Sequence, residues 1–133
     1  MKIIHYIPSM DQSSGGVGAY LKLLAHSLGK ITELHIITHH SENELKIENC
    51  TIHYIEHRLI HIFQAKRQFL NLIDDIKPDI LHLNSCSEPL CSYTVFWAKS
   101  KNYPVVITPH GMLEPWVLAK NYWKKKLPAL LFY

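Results

Sequence analysis

Cysteine, glycine and long apolar runs are what this chain of 133 residues has little of, with three cysteines and five glycines in all. Cys50, Cys86 and Cys91 leave one thiol over in any disulfide scheme and lack C-x-x-C spacing, so a reducing cytoplasm is expected and redox or zinc motifs are not. No apolar stretch approaches the ~20 residues that span a bilayer. The N-terminal "MKIIHYIPSMD" breaks at Pro8 before it reaches the length of a signal-peptide core, and the chain is expected to be neither exported nor membrane-spanning. Charge of one sign is scarce as well. The formal net charge is +3, and the 14 basic residues are scattered apart from Lys124, Lys125 and Lys126, which leaves no nucleic-acid footprint. Internal repeats and low-complexity linkers are missing, as are the dinucleotide fingerprint G-x-G-x-x-G and the P-loop G-x-x-x-x-G-K-[ST].

What is there is a globular composition, 47% hydrophobic and 19% charged, and the length of one domain, residues 1–133. "IIHYIP", "ELHIIT", "CTIHYI", "DILHLN" and "PVVIT" read as short buried strands. Between them, Val17, Tyr20, Leu21, Leu24, Ala25 and Leu28 fall at helical spacing with Gly29 as the stop. So do Ile62, Ala65, Phe69, Leu72, Ile73 and Ile76 before Pro78, and a third helix is expected from Pro89 to Lys101. The alternation predicts an α/β fold, an open, mostly parallel sheet with helices on both faces, whose ligands gather at the carboxyl ends of the strands. The chain closes on "KKKLPALLFY", five apolar residues and a proline without a polar cap, and is expected to be cut short of a further domain.

Two of those strand ends carry chemistry. After the first, Gly15, Gly16 and Gly18 precede a helix, where free N–H groups and the helix dipole suit an anion; a tight strand-to-helix turn needing positive φ explains the same glycines. After the fifth, "VVITPHGMLEPW" delivers His110 and Gly111 to the same sheet edge. An imidazole there hydrogen-bonds near neutral pH and the glycine admits a ligand to the backbone, or the histidine merely holds its own turn.

Residues 1 to 25, "KPDILHLN" and "PVVITPHGML" together resemble the N-terminal domain of the family-4 type of glycosyltransferases, in which two Rossmann-like domains face a cleft (the GT-B architecture). The resemblance implies that Gly15 and Gly16, with Gly18 in the following turn, contact the diphosphate of a nucleotide sugar. It places His110 and Gly111 near the transferred sugar, and Asn84 and Ser85 on the acceptor side of the cleft. Met112 and Glu114 complete the candidate substrate-binding set, although solvation of an exposed loop is the better account of Glu114. Implied for the whole enzyme is a retaining transfer from a nucleoside-diphosphate sugar to a glycan or lipid-linked acceptor in surface polysaccharide synthesis. Neither a metal nor another cofactor is expected, and the carboxylates and basic residues of a C-terminal donor-binding domain are absent, so this stretch should not catalyse alone.

Other patterns are weaker. His53, His57 and His61 recur every four residues, as ligands on one helix would, but His53 belongs to a predicted strand and surface histidines are the better account. Cys86 and Cys91 read as packing residues. Residues 116–127, with Trp116, Trp123 and the three lysines, could lie on a membrane surface or pack on the sheet. Two rival readings are a stand-alone nucleotide-binding or response-regulator-like module, which needs clustered acids at strand ends where only Asp11 stands, and half of a nucleotide-sugar epimerase.

Overall fold

A computed structural model of the chain describes residues 1–85, 88–112 and 114–119. Five strands, β1 (Lys2–Tyr6), β2 (Glu33–Thr38), β3 (Thr51–Tyr54), β4 (Ile80–Leu83) and β5 (Val105–Ile107), form one sheet in the order β3-β2-β1-β4-β5. All four pairings are parallel. The helices are α1 (Gly16–Leu28), α2 (Ile62–Ile76), α3 (Pro89–Ser100) and a short α4 (Pro115–Ala119). The α/β alternation read from the sequence is therefore present, with β2 and α2 at their expected bounds. Cys86, Trp123 and the three-lysine run lie outside the described residues, as does most of the 116–127 stretch.

The central strand is buried on both faces, and the period-2 alternation of β1 divides its side chains between two layers. Ile4 and Tyr6 join Leu81, Leu83, Phe69, Ile73, Val95 and Trp97 under α2 and α3. Ile3 and Ile7 face the other way, with Ala25 and Leu34 in one cluster and Leu21 and Ile36 in another, under α1. Cys91 is part of the α2–α3 layer, fully buried, its thiol donating to the Ser85 carbonyl at 2.8 Å; packing is its role.

α1 stops at Gly29, as the spacing predicts, but for a different reason than a left-handed cap. Gly29 keeps helical angles, φ −65° and ψ −12°, and its N–H still donates to the Ala25 carbonyl. What requires glycine is the approach of the loop before β3, because a Cβ at this position would overlap the carbonyl oxygen of Asn49. The carbonyl of Leu28, the last residue of α1, accepts from the N–H groups of Ile31 and Thr32 and from the Thr32 hydroxyl.

The chain runs outward from β1 to β2 and β3, returns, and then runs outward the other way to β4 and β5. The carboxyl ends of β1 and β4 thus flank the point where strand order reverses, and an open α/β sheet leaves its crevice there.

Candidate functional site

The loop after β1 is shaped by its own polar residues. Asp11 caps a 3-10 turn over Gln12–Ser14, accepting from the backbone N–H and hydroxyl of Ser13, and its second oxygen accepts from Asn43 N–H. Those bonds hold its carboxyl below the ordinary range. The acid that a response-regulator reading needs is thus a turn-former.

The three loop glycines have three different reasons. Gly15 sits at φ +59° between the 3-10 turn and α1, where a residue with a Cβ is strained. Gly18 is buried on α1 against the loop before β3; a Cβ there would stand 2.6 Å from Leu45 Cδ1. A Cβ at Gly18 would press on the end of the Leu45 side chain, a packing reason that stands beside the phosphate contact expected of this glycine. Gly16 is exposed, has no positive φ, and a Cβ on it would meet nothing within 4 Å. Gly15, the N-cap of α1, brings no side chain to cap it, and among the described residues the first N–H groups of the helix are left open to whatever occupies that space.

The turn after β5 is held in the left-handed region at two successive residues, His110 at φ +45° and Gly111 at φ +79°, and is closed by Met112 N–H donating to the Pro109 carbonyl. It aims the His110 ring back at the sheet, where Nε2–H donates to Asn84 Oδ1 at 3.0 Å. This bond commits Nε2 as the donor and leaves Nδ1 for another partner. The other edge of the ring lies against Tyr20, one turn into α1, with centroids 4.8 Å apart in an edge-to-face arrangement. The two loops singled out in the sequence therefore share one rim, joined by Tyr20.

Asn84 is the hub beneath them. It is 1% exposed, and its amide nitrogen donates to His5 Nδ1 at 3.1 Å and reaches the carbonyls of His82 and Tyr6 at 3.3 and 3.5 Å. The site residues that sequence reasoning missed are His5 and His82. Parallel register sets them opposite each other on β1 and β4, with ring centroids 4.5 Å apart, and His82 Nε2 lies 2.6 Å from Thr108 Oγ1. A signal was available, since "IIHY" and "ILHL" carry histidine at the same place in two strands, but only the pairing brings them together. Ser85 is buried too, its hydroxyl toward Met112 Sδ at 3.6 Å, so it supports the turn from below. Glu114 is exposed, its backbone N–H donating to the Gly111 carbonyl.

Three imidazoles in one place cannot all charge. Burial, then the neighbouring His82 and His110, push His5 down to about 3, and burial with His110 lowers His82. His5 and His82, beneath the turn, are therefore held to the neutral, hydrogen-bonding form near pH 7. A pH effect on stability follows. Below the ordinary histidine value of 6.5 the unfolded chain takes up a proton that folded His5 refuses until about 3, so stability falls as pH drops through that window. His39, His53 and His82 act with the same sign. Glu88, raised by burial, acts with the opposite one. The urea midpoint should fall between pH 7 and about pH 5, before the lowered carboxylates contribute, with His5 supplying up to ~1.4 kcal/mol per pH unit. A midpoint that stays level would contradict the burial of His5.

The predicted histidine series separates in space. His53 Nε2 pairs with His35 Nδ1 at 3.0 Å, whereas His57 and His61 flank Glu56 at 3.6 and 3.7 Å. Among the described residues, no group of three His, Cys, Asp or Glu side chains is placed to hold a metal ion.

The sequence profile of glycosyltransferase family 4 matches residues 14–132, from the glycine loop through the His110 turn. The chain belongs to glycosyltransferase family 4. Among proteins of curated function none matches. Solved structures resemble the family-4 domain in fold at low identity. Sucrose-phosphate synthase from Thermosynechococcus elongatus aligns over 98% of this chain and 38% of its own, with TM-score 0.72 and 13% identity. UDP-GlcNAc 2-epimerase from Neisseria meningitidis, bound to UDP-GlcNAc, aligns over 98% and 38%, with TM-score 0.52 and 15% identity. A ugt transferase from Siraitia grosvenorii in complex with UDP aligns over 80% and 23%, with TM-score 0.52 and 12% identity. The family-4 domain thus spans about two-fifths or less of these chains. Among its described residues, no helix is long and apolar enough to cross a membrane.

Proposed function

We propose that this domain is the N-terminal, acceptor-side half of a retaining glycosyltransferase that moves a sugar from a nucleoside-diphosphate sugar to a hydroxyl of a glycan or lipid-linked acceptor, in surface polysaccharide synthesis at the inner face of a membrane. A second, donor-binding domain completes the cleft. The observation that carries this reading is the meeting of an uncapped, glycine-opened helix start with the His110 turn through Tyr20.

The chemistry follows from charge. As the glycosidic bond breaks, negative charge builds on the leaving diphosphate, and N–H groups fixed at the start of α1 stabilise the transition state more than the ground state. Gly16 lets the diphosphate approach, because nothing else occupies the space its side chain would take. His110, held by Asn84, turns Nδ1 toward a hydroxyl of the donor sugar and orients it. Asn84 is a positioning residue. Gly111 and Met112 shape the turn, and Glu114 stands at the rim toward the acceptor.

Gly16 separates turn from ligand. Gly16→Val should leave the unfolding transition within about 1 kcal/mol of the parent, since the position has room and an ordinary backbone. In a protein carrying the second domain, the same change should weaken nucleotide-sugar binding by tenfold or more in calorimetry, about 1.4 kcal/mol. Undiminished binding would remove the glycine loop from the donor site.

A further inference from the structure

Between β3 and α2 the chain turns its apolar side chains outward. Leu59 and Ile60, in a 3-10 turn over Leu59–His61, are 52% and 84% exposed, and Phe63, in the first turn of α2, is 85% exposed. Single exposed apolar residues are ordinary; three within five positions form a patch that asks for a partner.

The exposed charges that the segment itself carries are of one sign. Arg58, Lys66 and Arg67 are exposed, and Phe63, Lys66 and Arg67 stand at i, i+3 and i+4 on one helix face. The single carboxylate between residues 56 and 67 is Glu56, and it is turned inward. Its Oε1 accepts from the N–H groups of His57 and Arg58, and its side chain is 19% exposed beside the rings of His57 and His61. An apolar tip with a cationic collar and no outward anion fits an anionic lipid surface, where the tip enters the acyl boundary and the collar meets headgroup phosphates. Protein interfaces are instead depleted in lysine at their cores and match opposite charges across the contact.

We propose that the 58–67 segment docks this domain on an anionic bilayer surface, with Leu59, Ile60 and Phe63 inserted and Arg58, Lys66 and Arg67 on the headgroups. The segment opens α2 and therefore lies at the carboxyl edge of the sheet, the edge that carries the His110 turn, but at β3, two strands or about 10 Å from β1. Docking there is separate from any contact through 116–127, and it does not depend on the transfer reaction.

Flotation of the full chain with phosphatidylcholine vesicles, with and without phosphatidylglycerol, tests it by binding alone. Wild-type protein should float with the anionic vesicles and be released by salt. Ile60→Ser with Phe63→Ser should cut partitioning by tenfold or more with an unchanged thermal transition, since both side chains already face water. Lys66→Gln with Arg67→Gln should cut it by tenfold or more on anionic vesicles. Wild-type protein left in solution with both vesicle types would overturn the proposal. So would full binding by the Ile60/Phe63 variant, loss of binding through Trp116→Ala instead, or a change of oligomeric state in that double variant without any vesicle binding.

Discussion

Gly29→Ala is expected to destabilise the domain by about 3 kcal/mol or more, although its backbone angles alone predict the opposite. At φ −65° and ψ −12°, alanine should extend α1 and gain up to ~1 kcal/mol. The structure reverses the sign because the new methyl would meet the Asn49 carbonyl oxygen and, at 2.7 Å, the Ala25 carbonyl oxygen, both backbone atoms with no rotamer to yield. Relief requires α1 and the loop before β3 to part, and that loop carries Ile47 and Cys50, which pack against the Ile3, Ala25 and Leu34 cluster. Urea unfolding of the two proteins measures the difference. A neutral or stabilised alanine variant would mean that this loop does not sit on the end of α1.

The second large effect is on turnover. His110→Ala, in a protein carrying the second domain, is expected to lower kcat about 100-fold, which is roughly 2.7 kcal/mol of transition-state positioning. The fold should survive, because the ring is only partly buried and Asn84 Oδ1 is left where water can reach it. Asn84→Leu should behave differently. It leaves His5 Nδ1 without its donor and His110 Nε2–H without its acceptor, at about 1–3 kcal/mol for a buried group so orphaned, while the Tyr6 carbonyl keeps the Asn84 backbone N–H. Steady-state kinetics alongside urea unfolding separates the two. Turnover unchanged by His110→Ala would take the imidazole out of the mechanism.

How far the sequence carries this picture differs from residue to residue. The alternation of strands and helices is local information, written in apolar spacing and in Pro78 and Pro89, and it holds through β5. That the glycine loop and the His110 turn share a rim was also legible, since a parallel sheet sends every strand's carboxyl end to one edge. Register was not. Nothing in "IIHYIP" says that His5 will stand opposite His82 across 77 residues, or that Asn84 will spend its amide on both His5 and His110. The separate tasks of Gly15, Gly16 and Gly18 were hidden for a related reason, because Leu45 is what makes Gly18 a packing residue and it arrives from another loop. Gly29 was placed correctly as a helix stop, yet its partner Asn49 lies twenty residues on. The exposure of Leu59, Ile60 and Phe63 was not legible either, because only the fold shows which apolar residues around the start of α2 have no core to enter.

The placement of β1 at the middle of the sheet has a consequence for how the chain matures on the ribosome. β1, β2 and β3 are made first and can associate early, but one side of β1 keeps its N–H and C=O groups unpaired until Ile80–Leu83 has been synthesised. For that interval the nascent protein displays the bare flank of a strand that ends up with a neighbour on each side, a template for association with other unfinished chains. Translation that pauses before residue 80 should therefore lower soluble yield more than a pause after residue 107, when β5 is complete.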